Sequence, residues 1–169
     1  MIGCRLARRH PDREGVVPSS GAAPSSCVVA AYADDVDARV GVESLDFLYT
    51  PSRDVAADVA AYTAALDARL VFAIEDGGIR VAMVELSSGP PAILLTDHVE
   101  GERPILVYRV ADLSLAVAKL RSRGWLPDRS LEIPPGPVAS FRSAAGHRFA
   151  FYQLVRPGVL EHFAGRRDF

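Results

Sequence analysis

The sequence predicts an α+β fold in which two βαβββ modules pair around a shared cleft. Three observations carry this. Apolar patterns in the order β-α-β-β-β run from about residue 43 to residue 97 and recur from 104 to 155. Two aspartates placed to cap the helices, Asp54 and Asp112, lie 58 positions apart, and the strands before them superimpose at that offset. The chain of 169 residues, 49% hydrophobic and 24% charged, has the composition of an ordinary globular unit. A repeat of this length means that neither unit covers its own sheet, so the two must close on each other. Two four-stranded sheets curling around one cleft, with a helix behind each, are the expected outcome.

Each element has a local reason. Leu45 to Tyr49 reads as a strand, and Pro51-Ser52-Arg53-Asp54 is a turn that ends on a cap. Val55, Val59, Tyr62 and Leu66 then form one apolar helical stripe. Arg69 to Glu75 and Ile79 to Leu86 are strands joined at Asp76-Gly77-Gly78, which supplies the positive φ values of a tight hairpin. Ala92 to Thr96 is the fourth strand. In the second module Ile105 to Val110 is a strand, and Asp112 caps a helix carrying Leu113, Val117 and Leu120, with Gly124 suited to its C-terminus. A short strand around Leu131 precedes the rigid Pro134-Pro135-Gly136-Pro137 loop. Val138 to Ser143 and Arg148 to Leu154 close the module through a turn at Ala144-Ala145-Gly146.

The folded domain is therefore expected over residues 42–156, with a C-terminal tail over 157–169 that begins as a short helical stretch to about residue 163. Residues 1–41 combine three prolines, a Ser/Gly/Ala stretch and the acidic cluster Asp34, Asp35 and Asp37 with no apolar period, the composition of a disordered tail. No apolar run approaches 18 residues, and the arginines near the start are not followed by the apolar stretch of a secretory signal. Cys4 and Cys27 form neither a disulfide framework nor a metal-binding spacing, so a cytoplasmic protein is expected. A formal net charge of -2 argues against nucleic acid or an anionic membrane surface as partner. The mean hydropathy of +0.13 points toward a homodimer face.

The paired modules resemble the vicinal-oxygen-chelate superfamily, the glyoxalase/bleomycin resistance/dioxygenase fold. The resemblance rests on LDFLYTPSRDVAADVAAYTAALDARLVF in the first module, ILVYRVADLSLAVAKLRSRGW in the second and the closing hairpin FRSAAGHRFAFYQ. It covers residues 43 to about 155. Metal enzymes of that superfamily take a His, Glu or Gln ligand from the first and last strand of each module. Carried onto this chain, those positions are Phe47, Ile105, Ala150 and either Ile93 or Leu94. None has a donor atom for a divalent ion, so the resemblance implies a fold without the metal, and no cofactor is expected.

Strand alternation says what the cleft offers instead. If Phe47 and Ala150 point inward, so do Leu45, Tyr49, Arg148 and Tyr152, while Leu48, Phe149 and Phe151 pack under the helices. Phe47, Tyr49, Arg148, Tyr152 and His98 are accordingly the candidate ligand-binding residues. An apolar, aromatic groove with few polar groups is the usual make-up of a small-molecule site, although closed core would read the same way. Arg148 offers a bidentate fork for a carboxylate or phosphate, or is an arginine in water. His98 is either a general base or a residue of a solvated inter-module loop. Trp125 either stacks on a planar ligand or anchors the end of the second helix. His147 is expected to be exposed, and His10 and His162 have no evident partners.

Two functions follow, beside a third reading as a structural or interaction module with no ligand. One is a protein that binds or sequesters a small, partly aromatic molecule, without metal and without catalysis. The alternative is a glyoxalase- or dioxygenase-like enzyme holding metal through residues such as His98, Glu75 or Glu85.

Overall fold

A computed structural model describes residues 39–169, so the sequence expected to form the N-terminal tail falls, up to residue 38, outside the described residues. The first module contains β1 (Val42–Pro51), α1 (Val55–Leu66), β2 (Arg69–Asp76), β3 (Ile79–Glu85) and β4 (Ala92–Thr96). The second contains β5 (Ile105–Val110), α2 (Leu113–Ser122), β6 (Arg129–Ile133), β7 (Gly136–Arg142) and β8 (Arg148–Gln153). A 3-10 turn, η1 (Val159–Phe163), follows.

Both aspartates cap their helices. Asp54 Oδ1 accepts from the Ala57 amide at 3.0 Å, and Asp112 Oδ1 from the Leu115 amide at 2.9 Å. Each satisfies a donor that the first helical turn leaves orphaned. At the end of α2, Gly124 sits at φ +81°, where its amide reaches Arg121 O and the Trp125 amide reaches Leu120 O, both at 3.0 Å. This two-bond closure of a helix needs the left-handed conformation that glycine adopts without strain.

One expectation is corrected. The two halves are not separate sheets but one eight-stranded sheet in the order β2-β3-β4-β1-β5-β8-β7-β6. The seam is the antiparallel pairing of β1 with β5, with Tyr49 opposite Ile105 and Leu48 opposite Leu106. The two first strands would each leave an unpaired edge, and pairing them satisfies both rows of backbone groups. Within each module the first and last strands run parallel, β1 beside β4 and β5 beside β8.

Period-two alternation sorts the side chains into four clusters. Behind module one, Val55 and Val59 of α1 pack on Val84, Ile93 and Leu95. Behind module two, Leu113, Ala116 and Leu120 of α2 pack on Phe141, Phe149 and Phe151. On the opposite faces, Phe72, Met83 and Leu94 cluster in module one, and Val107, Val138, Ala150 and Tyr152 in module two. Phe47, at the seam, touches both.

The last residues, read from sequence as a tail, pack along the free edge of β2. The Gly165 amide donates to Val71 O, the Ala73 amide to Arg166 O and the Asp168 amide to Ala73 O, at 2.8 to 2.9 Å. Arg167 adds donations to Leu70 O and Val71 O. An edge that would otherwise invite pairing with another chain is thereby covered. Among the described residues no helix is long and apolar enough to cross a membrane.

Candidate functional site

The face of the sheet away from the helices encloses a cleft of about 970 Å³. Its floor is the seam: Phe47 and Tyr49 of β1, Leu94 of β4, Ile105 and Val107 of β5 and Ala150 of β8 all line it. The linker between the modules, Val99 to Arg103, forms one wall. Leu131 and Ile133 of β6 and the following Pro134-Pro135 form another. Leu160 and Phe163 of η1 close the module-one end, where Phe163 lies 5.7 Å from Phe72, ring centre to ring centre.

The superfamily's ligand positions can now be compared with a metal's needs. Leu94 faces the cleft and Ile93 the α1 core, which resolves the register left open by the sequence. Phe47, Leu94, Ile105 and Ala150 therefore line the cavity where the superfamily's ligands would lie, and all four are hydrocarbon side chains. The residues present do not fit a divalent ion there, because nothing would replace its water ligands. Nor do three or more His, Cys, Asp or Glu side chains elsewhere among the described residues cluster as a metal site. Glu75 and Glu85, the noncanonical donors considered from sequence, lie outside the cleft lining. Glu75 accepts from Arg80 Nε at 2.8 Å, and Glu85 is bridged by Arg69.

Four of the five candidate ligand residues line the cleft: Phe47, Tyr49, His98 and Arg148. His98 is the most connected. Its Nδ1 lies 2.6 Å from Thr96 Oγ1 and its Nε2 lies 3.1 Å from the Tyr49 hydroxyl. Thr96 is fully buried, so a fixed hydroxyl orients an exposed imidazole. Burial pushes the Tyr49 phenol up from its ordinary value; a hydrogen bond with Thr96 partly offsets this and the Asp97 charge adds to it. Tyr49 therefore remains a neutral hydroxyl at physiological pH.

Tyr152 shares the inward face of β8 but does not line the cleft. It is 2% exposed, and its ring sits 5.9 Å from Phe47. Its hydroxyl donates to Asp46 Oδ2 at 2.5 Å, and Ser44 Oγ donates to the other carboxylate oxygen. Burial chiefly raises the Tyr152 pKa, and the Asp46 carboxylate raises it further. Arg109 Nε lies 3.1 Å from Glu43 and 3.7 Å from Asp46, close enough for ion pairing though not aligned for a hydrogen bond. Simple alternation would place Asp46 on the helix side. A register irregularity between Leu45 and Phe47 brings it round to Tyr152, and sequence alone carries no signal for it.

Arg148 projects from β8 to the linker, where Nη2 donates to Arg103 O at 2.5 Å. Sequence reasoning did not find its neighbours on this corner. Arg142 stands directly opposite Arg148 across the β7–β8 pair, and Arg129 stands opposite Ser140 across β6–β7. All three arginines line the cleft. Trp125 packs on Phe149 at 5.2 Å behind the sheet, so of its two readings the helix anchor is the one realised. His147 is exposed, and His162 Nδ1 lies 3.2 Å from the Val159 carbonyl oxygen.

No family model matches this chain, and no curated protein matches it in sequence. Solved structures do match in fold. Methylmalonyl-CoA epimerase from Mycobacterium tuberculosis superposes with a TM-score of 0.58 at 19% identity, covering 68% of this chain and 90% of that one. A hypothetical protein from Bacillus halodurans C-125 gives 0.56 at 17%, covering 65% and 93%. A Streptomyces coelicolor methylmalonyl-CoA epimerase variant in complex with 2-nitronate-propionyl-CoA gives 0.56 at 17%, covering 68% and 96%. The chain thus has the vicinal-oxygen-chelate fold that its sequence resembles.

Proposed function

We propose that this chain is a binding protein that holds a small, partly aromatic molecule in the inter-module cleft without the metal of its fold class. The observation that carries the reading is the floor. Phe47, Leu94, Ile105 and Ala150 leave the cleft open, at about 970 Å³, yet replace ion donors with hydrocarbon. A volume of this size lined mostly by apolar side chains, with a few polar groups at the rim, suits a drug-sized organic molecule. That a protein of the same fold has been solved with 2-nitronate-propionyl-CoA supports the capacity of the fold to carry a small organic ligand. The rival reading, a metal enzyme with noncanonical ligands, is weakened because Glu75 and Glu85 are occupied by arginines and His98 stands apart from both.

Thermal unfolding against a panel of aromatic small molecules tests the proposal. A true ligand at a hundred times its Kd should add about 2.7 kcal/mol and raise the midpoint by several degrees. Elemental analysis is the complement. One transition metal per chain, lost on His98→Ala, would favour the enzyme instead, and a panel without any hit would remove the binding reading.

A further inference from the structure

We infer that the ligand is an organic anion whose charged oxygens dock on the Arg142–Arg148 corner of module two while its apolar body lies on Phe47 and Tyr49. This rests on the reading of the cleft as a ligand site and adds the charge of its occupant.

Arg142 and Arg148 are direct cross-strand partners, so their side chains leave the same face of the sheet with Cβ atoms about 5 Å apart. Arg129, opposite Ser140, is the diagonal neighbour of Arg142. Like charges placed this way destabilise a sheet unless something neutralises them. The protein supplies little. Asp128 lies 3.5 Å from Arg142, with both side chains about half exposed. Among the described residues the hydrogen-bond partner of Arg148 is neutral, the Arg103 carbonyl, and no carboxylate lies within ion-pair distance of Arg148 or Arg129. The acids facing the cleft from the linker, Glu100 and Glu102, are exposed to water, and Glu102 lies near Arg53 at 3.8 Å.

Position turns this cluster into a site. Arg148 is half-buried, and its guanidinium is tethered by one N–H to the linker, leaving its remaining donors in a fixed fork. A planar, pre-oriented fork matches two oxygens of a carboxylate, sulfonate or phosphate. The neighbouring floor is hydrocarbon and aromatic, so an anion without an apolar body would gain the charge contact and lose the burial. The class selected is therefore an amphipathic acid of modest size. A free inorganic anion or a neutral aromatic would each meet only half of the site.

Two fluorescent probes separate body from charge in the intact chain: 8-anilinonaphthalene-1-sulfonate and its uncharged relative N-phenyl-1-naphthylamine. The anion should bind the unmodified protein more tightly than the neutral probe. Arg148→Gln should weaken the sulfonate on the order of tenfold, the scale of one charge-assisted hydrogen bond, and shift the neutral probe less than about twofold. Arg142→Gln should act in the same direction and does not disturb the Arg103 contact, so it serves if Arg148→Gln lowers the melting point. Displacement of the sulfonate by 2-naphthoate or by 2-naphthyl phosphate then identifies a carboxylate or a phosphate as the natural head group. Equal affinities for the two probes, unaffected by either substitution, would overturn the anion and leave the cleft reading standing. Failure of both probes to bind would overturn both.

Discussion

The two modules follow one plan and use their inner faces differently. In module one, Phe72, Met83 and Leu94 pack with Leu160 and Phe163 from the end of the chain, which narrows that end of the groove while Phe72, Ile74, Val81 and Leu94 still line it. In module two the equivalent face carries Arg129, Ser140, Arg142 and Arg148 around Ala150 and Val138, with the inter-module linker at its side. The faces behind the sheet differ too. Module one packs its helix on small aliphatics, Ala73, Ala82, Val84, Ile93 and Leu95, whereas module two stacks Phe141, Phe149, Phe151 and Trp125. One module thus has an apolar inner face narrowed by the chain end, and the other has a bulky aromatic support behind a charged one. A duplicated fold can give one copy to structure and the other to chemistry, provided the support behind the open face is stiff.

That division predicts unequal costs of truncation. Phe141 is fully buried, stacks on Phe149 at 5.7 Å and meets Phe151 edge-on at 5.9 Å. Phe141→Ala should cost about 3–5 kcal/mol. Val84, a fully buried residue behind module one, should cost about 2 kcal/mol as Val84→Ala, because less volume is removed. Urea unfolding of the two variants measures this, and equal losses would mean that the aromatic stack does not stiffen module two.

The plug is the next largest effect. Phe163 is half-buried over Phe72, so Phe163→Ala should lose roughly 2 kcal/mol, about half of a full aromatic truncation. It should also open the module-one end of the cleft. A neutral aromatic probe should then bind more tightly than to the parent protein. Unchanged probe affinity alongside lost stability would show that η1 seals core rather than shaping the groove.

Much of this frame was legible in the residues, and the exceptions share a cause. Caps, helix stripes and strand alternation depend on neighbours within about eight positions, so Asp54, Asp112, Gly77-Gly78 and the outward Phe149 and Phe151 announce themselves. The β1–β5 seam, the seating of the chain end on β2 and the reach of Asp46 to Tyr152 depend on partners roughly 60 to 100 positions away in the sequence. No local pattern encodes those. The Arg142–Arg148 pair is intermediate: the hairpin is visible, but the register that sets the two arginines opposite each other depends on the geometry of the turn, in which the Gly146 amide bonds to Ser143 O.

Outside the cleft lining, Tyr152→Phe removes the phenol hydroxyl that donates to Asp46, whose side chain is 12% exposed. Leaving that carboxylate short of a donor should cost about 1–3 kcal/mol. The Tyr152 pKa in the fold is raised above the ordinary tyrosine value of about 10 by burial and by Asp46. The unfolded chain therefore releases this proton first, and the contribution of Tyr152 is complete below pH 10 and falls as pH rises beyond it. The parent protein should lose stability above about pH 10 more steeply than Tyr152→Phe. Parallel alkaline profiles for the two would mean that the hydroxyl is not held in the folded state.

The smallest effect tests the charged corner itself. Arg142 and Arg148 face each other across one strand pair, and a double-mutant cycle through Arg142→Gln, Arg148→Gln and the combined variant isolates their coupling from the Arg103 and Asp128 contacts that each makes alone. The coupling should be repulsive by a few tenths of a kcal/mol, up to about 1, since opposed like charges on a sheet cost that much. Added salt should shrink it, because at about 1 M the screening length falls to about 3 Å, shorter than the spacing of the two side chains. A saturating sulfonate probe should also reverse its sign, because two arginines sharing one anion help each other bind. An attractive coupling in the free protein would mean that the corner is already neutralised from within. Module two would then be as self-contained as module one, and the contrast between the two halves would no longer mark a site.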